Sequence, residues 1–235
     1  MRTHRVSRLY LFPQRKLTEL KRENIRLHVG GSSLTCVLSR PDIQPIGAVI
    51  LLHPHPLYGG DKDNQVVKDL DKIFLGMGYT TLRLDFRGVT GGYAGVAGAV
   101  EDTHQAIELL ESYEPLTLGL AGYSFGGSTA LRVVSSRPVS FLVCLSASFD
   151  LFLEGGHNTS SLSQIHCPAL LFHGQSDTFV PHTDLQMFAR MIAGARAVSL
   201  QNENHFYQIS MQIVSDEIRS FISGLSTMQP PERYP

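Results

Sequence analysis

Gly122-Tyr123-Ser124-Phe125-Gly126-Gly127 places a serine between two glycines, behind an apolar run at residues 116–121 and ahead of a helix-forming segment at 128–136. Such a strand–turn–helix setting holds a serine on a sharp, strained corner with its hydroxyl standing clear of a sheet. Any side chain at Gly122 or Gly126 would collide with the neighbouring strand or helix. A serine hydroxyl attacks a carbonyl at neutral pH only when a base removes its proton. The motif therefore requires two further residues. The base is expected on a loop after a late strand, where His205 sits in Asn202-Glu203-Asn204-His205-Phe206. The carboxylate that orients it is expected after an earlier strand. Asp177 fits, in His173-Gly174-Gln175-Ser176-Asp177-Thr178-Phe179-Val180-Pro181, with Asp150 as the rival after the preceding strand. In the order Ser124, Asp177, His205, the histidine would accept and return the proton while the carboxylate fixes its tautomer.

A tetrahedral intermediate also needs two N–H groups aimed at its oxyanion. Phe125, directly after the serine, supplies one. The other is expected from the loop His53-Pro54-His55-Pro56-Leu57-Tyr58-Gly59-Gly60, in which the prolines have no N–H. His55 is the first choice and Leu57 the second. Leu57, Tyr58 and Tyr123 are expected to line the substrate site, with the Tyr58 hydroxyl a further donor. His53 and His55 resemble a metal pair, but no third ligand stands at a suitable spacing, so neither metal nor cofactor is expected. His173 reads as a strand-end buttress of the acid loop, and Asp85-Phe86-Arg87-Gly88 as a turn or ion pair shaping the site.

The elements that must position these groups follow from the hydrophobic pattern. Residues 24–29 and 33–39 predict a hairpin across Gly30-Gly31. The apolar run at Gly47–Leu52 predicts a strand buried on both faces. Further strands are expected at 79–86, 116–122, 139–147, 169–173 and 195–200, and helices at 63–77, 98–113, 125–137, 183–192 and 206–225. Eight strands, with helices alternating after the hairpin, predict a doubly wound α/β domain with a mostly parallel sheet. Its functional groups gather at the carboxyl ends of the strands. The domain is expected over residues 24–225, with a basic arm at 1–23 and a disordered tail at 226–235. About twenty residues separate the sixth and seventh strands, leaving no room for a cap domain.

These pieces resemble the α/β-hydrolases, and more narrowly small lidless bacterial serine hydrolases with a His-Pro-His-Pro-x-x-Gly-Gly loop, relatives of dienelactone hydrolases and serine esterases and peptidases. The matching segments are residues 53–60 with Asp63-Asn64, then 84–89, 122–127, 174–181 and His205-Phe206. The resemblance implies a serine hydrolase with a Ser124–Asp177–His205 triad. The sequence departs from the pattern at Thr90-Gly91-Gly92-Tyr93 and at Asn202-Glu203-Asn204, where the group carries glycine-rich turns. Both loops rim the site.

The chain has 235 residues, 43% hydrophobic and 17% charged, with a net charge of −1. That balance suits a globular enzyme and gives no electrostatic case for nucleic acid or an anionic membrane. Residues 1–28 nevertheless carry eight Lys/Arg against two Asp/Glu. The apolar run Leu9-Tyr10-Leu11-Phe12 ends at Pro13, too short for a secretion signal, and no segment has the length of a membrane span. Three cysteines, Cys36, Cys144 and Cys167, lack metal-ligand spacing and point to a reducing, cytoplasmic compartment. The expected activity is hydrolysis of a small ester or thioester. Peptidase or acyltransferase chemistry on the same triad is the alternative, as is a non-catalytic binding protein of this fold.

Overall fold

The computed structural model describes residues 21–226. Strands β1 (Lys21–Val29) and β2 (Ser32–Arg40) form an antiparallel hairpin. Then follow β3 (Gly47–Leu52), α1 (Gln65–Gly76), β4 (Tyr79–Leu84), α2 (Gly95–Glu111), β5 (Leu118–Tyr123) and α3 (Phe125–Val134). The chain continues through β6 (Phe141–Leu145), α4 (Phe149–Leu153), β7 (Ala169–Gly174), α5 (Thr183–Met191), β8 (Arg196–Leu200) and α6 (Met211–Ser226). The eight strands form one sheet in the order β1-β2-β4-β3-β5-β6-β7-β8. β2 pairs antiparallel with β4, and the strands from β4 to β8 are mutually parallel. This is the α/β-hydrolase sheet.

Strand side chains alternate between two cores, as a period of two requires. Ala48, Ile50 and Leu52 of β3 enter one core with Val96 and Ile107 of α2, Leu131 of α3 and Phe188 of α5. Val49 and Leu51 enter the other with Val67, Leu70 and Phe74 of α1 and Val214 and Ile218 of α6. Burial on both faces is why β3 reads as an unbroken apolar run.

The order reverses between β3 and β5. β4 lies on the far side of β3, and α2 carries the chain back so that β5 pairs with the other edge of β3. At such a reversal the loops leaving the two strands diverge and open a crevice. The His53–Gly60 loop leaves β3 there, and Ser124 leaves β5.

Several boundaries differ from the sequence expectation. The arm expected over 1–23 falls outside the described residues up to position 20, and Lys21 already pairs with Arg40. The expected tail lies outside the described residues apart from Ser226. The final helix begins at Met211 rather than 206, because the backbone at 204 and 208–210 is held by a buried side chain described below. The segment between β6 and β7 forms α4 and 3-10 turns, and it packs into the domain through Phe152, Leu162 and Ile165. It builds no cap.

Candidate active site

Ser124 occupies a corner with φ 56° and ψ −116°. For a residue with a Cβ this backbone costs about 1–3 kcal/mol and needs surroundings that enforce it. Its amide donates to Leu145 O at 2.8 Å, and its carbonyl accepts from Ser128 N at 3.0 Å, the first bond of α3. A Cβ on Gly122 would lie 2.2 Å from Gly126 O, and one on Gly126 would lie 2.3 Å from Leu52 O. Both glycines are thus required by backbone approach.

Three polar side chains meet at this corner. Ser124 Oγ is 3.1 Å from His205 Nε2, and His205 Nδ1 is 2.6 Å from Asp177 Oδ2. A carboxylate against Nδ1 keeps the proton there, leaving Nε2 to accept from the serine hydroxyl. Asp177 Oδ1 accepts the amides of Phe179 at 2.9 Å and Val180 at 3.0 Å. His173 Nε2 lies 3.1 Å from Val180 O and 3.4 Å from Asp177 Oδ2, a buttress of the acid loop. Burial by itself would raise the Asp177 pKa, but hydrogen bonds from His173, His205 and Val180 outweigh it and hold the carboxyl far below the usual range. Asp150 is exposed on α4. His205 Nδ1 faces Asp177.

The loop carrying His205 has a support that the sequence reading passed over. Glu203 is fully buried. Its Oε1 accepts the amides of Asn204 and Gln208, at 2.9 and 3.2 Å, and its Oε2 those of Ile209 and Ser210, at 3.0 and 2.5 Å. Its carbonyl accepts Ser176 N at 2.8 Å, joining the histidine loop to the aspartate loop. Asn202 and Tyr207 on the same loop have φ of 59° and 54°. The only sequence signal was the Asn-Glu-Asn departure from a glycine-rich turn. Tyr123, expected at the substrate site, is instead buried, and its hydroxyl donates to His205 O at 2.8 Å. It holds the loop from beneath.

On the opposite wall, both imidazoles of the His-Pro-His-Pro loop have defined tautomers. His53 is buried. Its Nε2 accepts Phe86 N at 3.0 Å, so Nδ1 carries the proton, donated to Pro54 O at 2.6 Å. Burial pulls its pKa down to about 4. His55 Nδ1 accepts Leu57 N at 3.2 Å, so Nε2 carries the proton toward Tyr93 Oη at 3.0 Å. Its pKa is lowered by burial. Both nitrogens of each ring have partners within the chain, and no group of three metal-ligating side chains occurs among the described residues. Leu57 N is spent on His55, which removes the second candidate for the oxyanion amide. Tyr58 is 88% exposed, with its ring 4.8 Å from that of His55.

His55 lies against the elbow, its ring 4.8 Å from that of Phe125. Phe125 opens α3, so its amide is among the donors a helix leaves without an internal acceptor. Asp85 fastens the same loop, accepting Lys62 N at 2.8 Å, Lys62 Nζ at 2.9 Å and the Thr35 hydroxyl at 2.5 Å. Arg87 pairs with Asp102 at 2.8 Å. A cavity of about 440 Å³ opens elsewhere, at the amino ends of β3 and β4 beside Arg40, Tyr113 and Leu116, on the side of the sheet away from Ser124.

No family model matches the chain. An uncharacterized protein of Rickettsia prowazekii (strain Madrid E) is 26% identical over 185 residues, spanning 74% of this chain and 77% of that one. An alpha-beta serine hydrolase homologue from Coxiella burnetii is 28% identical, covering 84% of this chain and 96% of its own, with a TM-score of 0.76. An α/β serine hydrolase without lid from Xanthomonas campestris superposes with the same TM-score at 20% identity, covering 92% and 100%. Sheet order, serine elbow and these likenesses agree: the chain has the α/β-hydrolase fold.

Proposed function

We propose that the protein is a serine hydrolase of small esters or thioesters, a carboxylesterase-type enzyme working through an acyl-enzyme on Ser124. The observation that carries this reading is the continuous run of hydrogen bonds from Ser124 Oγ through His205 to Asp177. Ser124 Oγ attacks the substrate carbonyl carbon while His205 Nε2 takes its proton, and the carbonyl π electrons move onto oxygen. The amides of Phe125 and His55 receive that oxyanion. As the oxyanion collapses, the bond to the leaving oxygen or sulfur breaks and Nε2 returns the proton to it. Water then repeats the sequence against the acyl-enzyme, releasing the acid and restoring Ser124. Asp177, held ionised, stabilises the imidazolium that forms twice per turnover. The open mouth, without a cap, suits small acyl substrates. Cys36, Cys144 and Cys167 are free thiols, which fits a reducing compartment such as the cytoplasm.

The test is a p-nitrophenyl ester series from acetate to decanoate on wild type and Ser124→Ala, with fluorophosphonate labelling of both. Turnover falling with acyl length, with both turnover and labelling lost in Ser124→Ala, is the expected result. Ester turnover that survives Ser124→Ala would overturn the mechanism.

A further inference from the structure

Two phenyl rings stand in solvent beside the base. Phe179 is 68% exposed and Phe206 is 52% exposed. The Phe179 ring centroid is 5.3 Å from that of His205, the Phe206 ring is 5.9 Å from it, and the two phenyls meet edge to face at 5.4 Å. Short polar turns hold both in place: Phe179 N donates to Asp177 Oδ1 at 2.9 Å, and Phe206 N donates to Asn204 Oδ1 at 2.8 Å. The chain thus fixes two large apolar side chains outside the core, against the imidazole. Together the two rings present apolar surface beside the candidate base.

Their position distinguishes the parts of a substrate. In the tetrahedral intermediate the carbon carries Ser124 Oγ, the oxyanion, the leaving oxygen and the acyl group. The oxyanion faces the Phe125 and His55 amides. The leaving oxygen must face His205 Nε2, which protonates it as its bond to carbon breaks. Groups packed beside His205 therefore border the leaving group, and the acyl group departs in the remaining direction. The cations on the surrounding loops are already committed, Lys62 to Asp63 and Asp85, and Arg87 to Glu101 and Asp102. No lysine or arginine on those loops is left to receive a carboxylate or phosphate on that part of the substrate.

We infer that Phe179 and Phe206 form an aromatic shelf for the leaving group, so that the preferred substrates are esters of uncharged arylalkyl alcohols. This assignment rests on the acyl-transfer reading of Ser124. It goes beyond that reading by placing selectivity in the alcohol rather than in the acid.

The experiment measures kcat/KM for benzyl acetate against n-butyl acetate, and for methyl phenylacetate against methyl pentanoate. Benzyl and butyl alcohols are similar enough as leaving groups for the first ratio to report recognition. About a tenfold preference for benzyl acetate is expected, from ring contacts of ordinary strength. The acyl pair should differ by less than about threefold. In Phe179→Ala/Phe206→Ala the benzyl preference should fall toward one. Phe179→Leu/Phe206→Leu, which keeps apolar bulk but removes the ring faces, should fall between. A wild-type benzyl-to-butyl ratio near one, or a ratio unchanged in the alanine variant, overturns the assignment. If Ser124 is still labelled by a fluorophosphonate, the hydrolase reading survives that result. Loss of both ester turnover and labelling would instead overturn the hydrolase reading, and the shelf with it.

Discussion

Glu203 receives four backbone amides while buried beneath the histidine loop, so its two oxygens order the turn that presents His205. Glu203→Gln replaces one oxygen by an NH₂ group, which cannot accept from the amides it faces. The expected cost is about 1–3 kcal/mol in stability, from amides left without an acceptor. Because displacement of a reacting group by an ångström is enough to cost about 10²-fold, kcat should fall by tenfold or more with a smaller change in KM. Steady-state kinetics beside a denaturant melt would check both, and an unaltered kcat would mean that the loop holds its shape without the carboxylate. A glutamate inside Asn-Glu-Asn reads as a solvated turn residue, because nothing in the local pattern reports that the backbone closes around it. Ser124, Asp177 and His205 were legible for the opposite reason. Ser124 and Asp177 follow strands with plain apolar runs and His205 follows the last strand, so position along the chain stood in for position in space. Tyr123 shows the limit of that argument: it adjoins the serine in sequence, yet its hydroxyl supports the histidine loop from below.

At the level of elements, the elbow depends on backbone contact between α3 and the end of β3. Gly126→Ala would set a Cβ 2.3 Å from Leu52 O, a clash that no side-chain rotation relieves. Overpacking of this kind costs at least about 1–3 kcal/mol, and here the backbone that yields is the one carrying Ser124 and His55. Loss of fluorophosphonate labelling with a lowered Tm is expected. Gly224→Ala on α6 is the contrasting change, since a Cβ there meets nothing within 4 Å among the described residues. It should raise stability by about 0.5–1 kcal/mol through helix propensity, read from the shift in the same melt. Strands β3 to β7 were readable because burial on both faces leaves an apolar run bounded by turn residues. Helix ends were less so. The start of α6 moved from 206 to 211 because the Glu203 side chain accepts backbone amides as far along as Ser210, and those bonds rather than apolar periodicity decide where the turn ends.

Over the whole molecule, acid should act through groups whose native environment excludes a proton. His53 has an ordinary unfolded pKa of about 6.5, and burial lowers it to about 4 in the fold. The unfolded chain therefore binds a proton more readily throughout that window. The His53 contribution is fully present above about pH 6.5 and is lost as pH falls toward 4. Asp177 follows with the same sign but lower, its contribution declining once pH drops below the unfolded carboxyl value of about 3.9. Urea melts from pH 8 to pH 4 should show the decline beginning near 6.5. A flat profile down to pH 4.5 would contradict the buried neutral state of His53.

The chain by itself determined which chemistry-bearing residues exist, their order, and the alternation of strands and helices that forces a parallel sheet with its loops at one end. Those features are local, written in apolar period, turn residues and a serine between glycines. Tertiary structure decided what local pattern leaves open. It brought β3 beside β5 and closed the acid and histidine loops over Glu203. It assigned the tautomers of His53 and His55 through partners up to 38 positions away, and left Phe179 and Phe206 exposed beside the base. Hydrogen-bond partnership and exposure depend on which distant segments arrive at a residue, and only the folded chain specifies that.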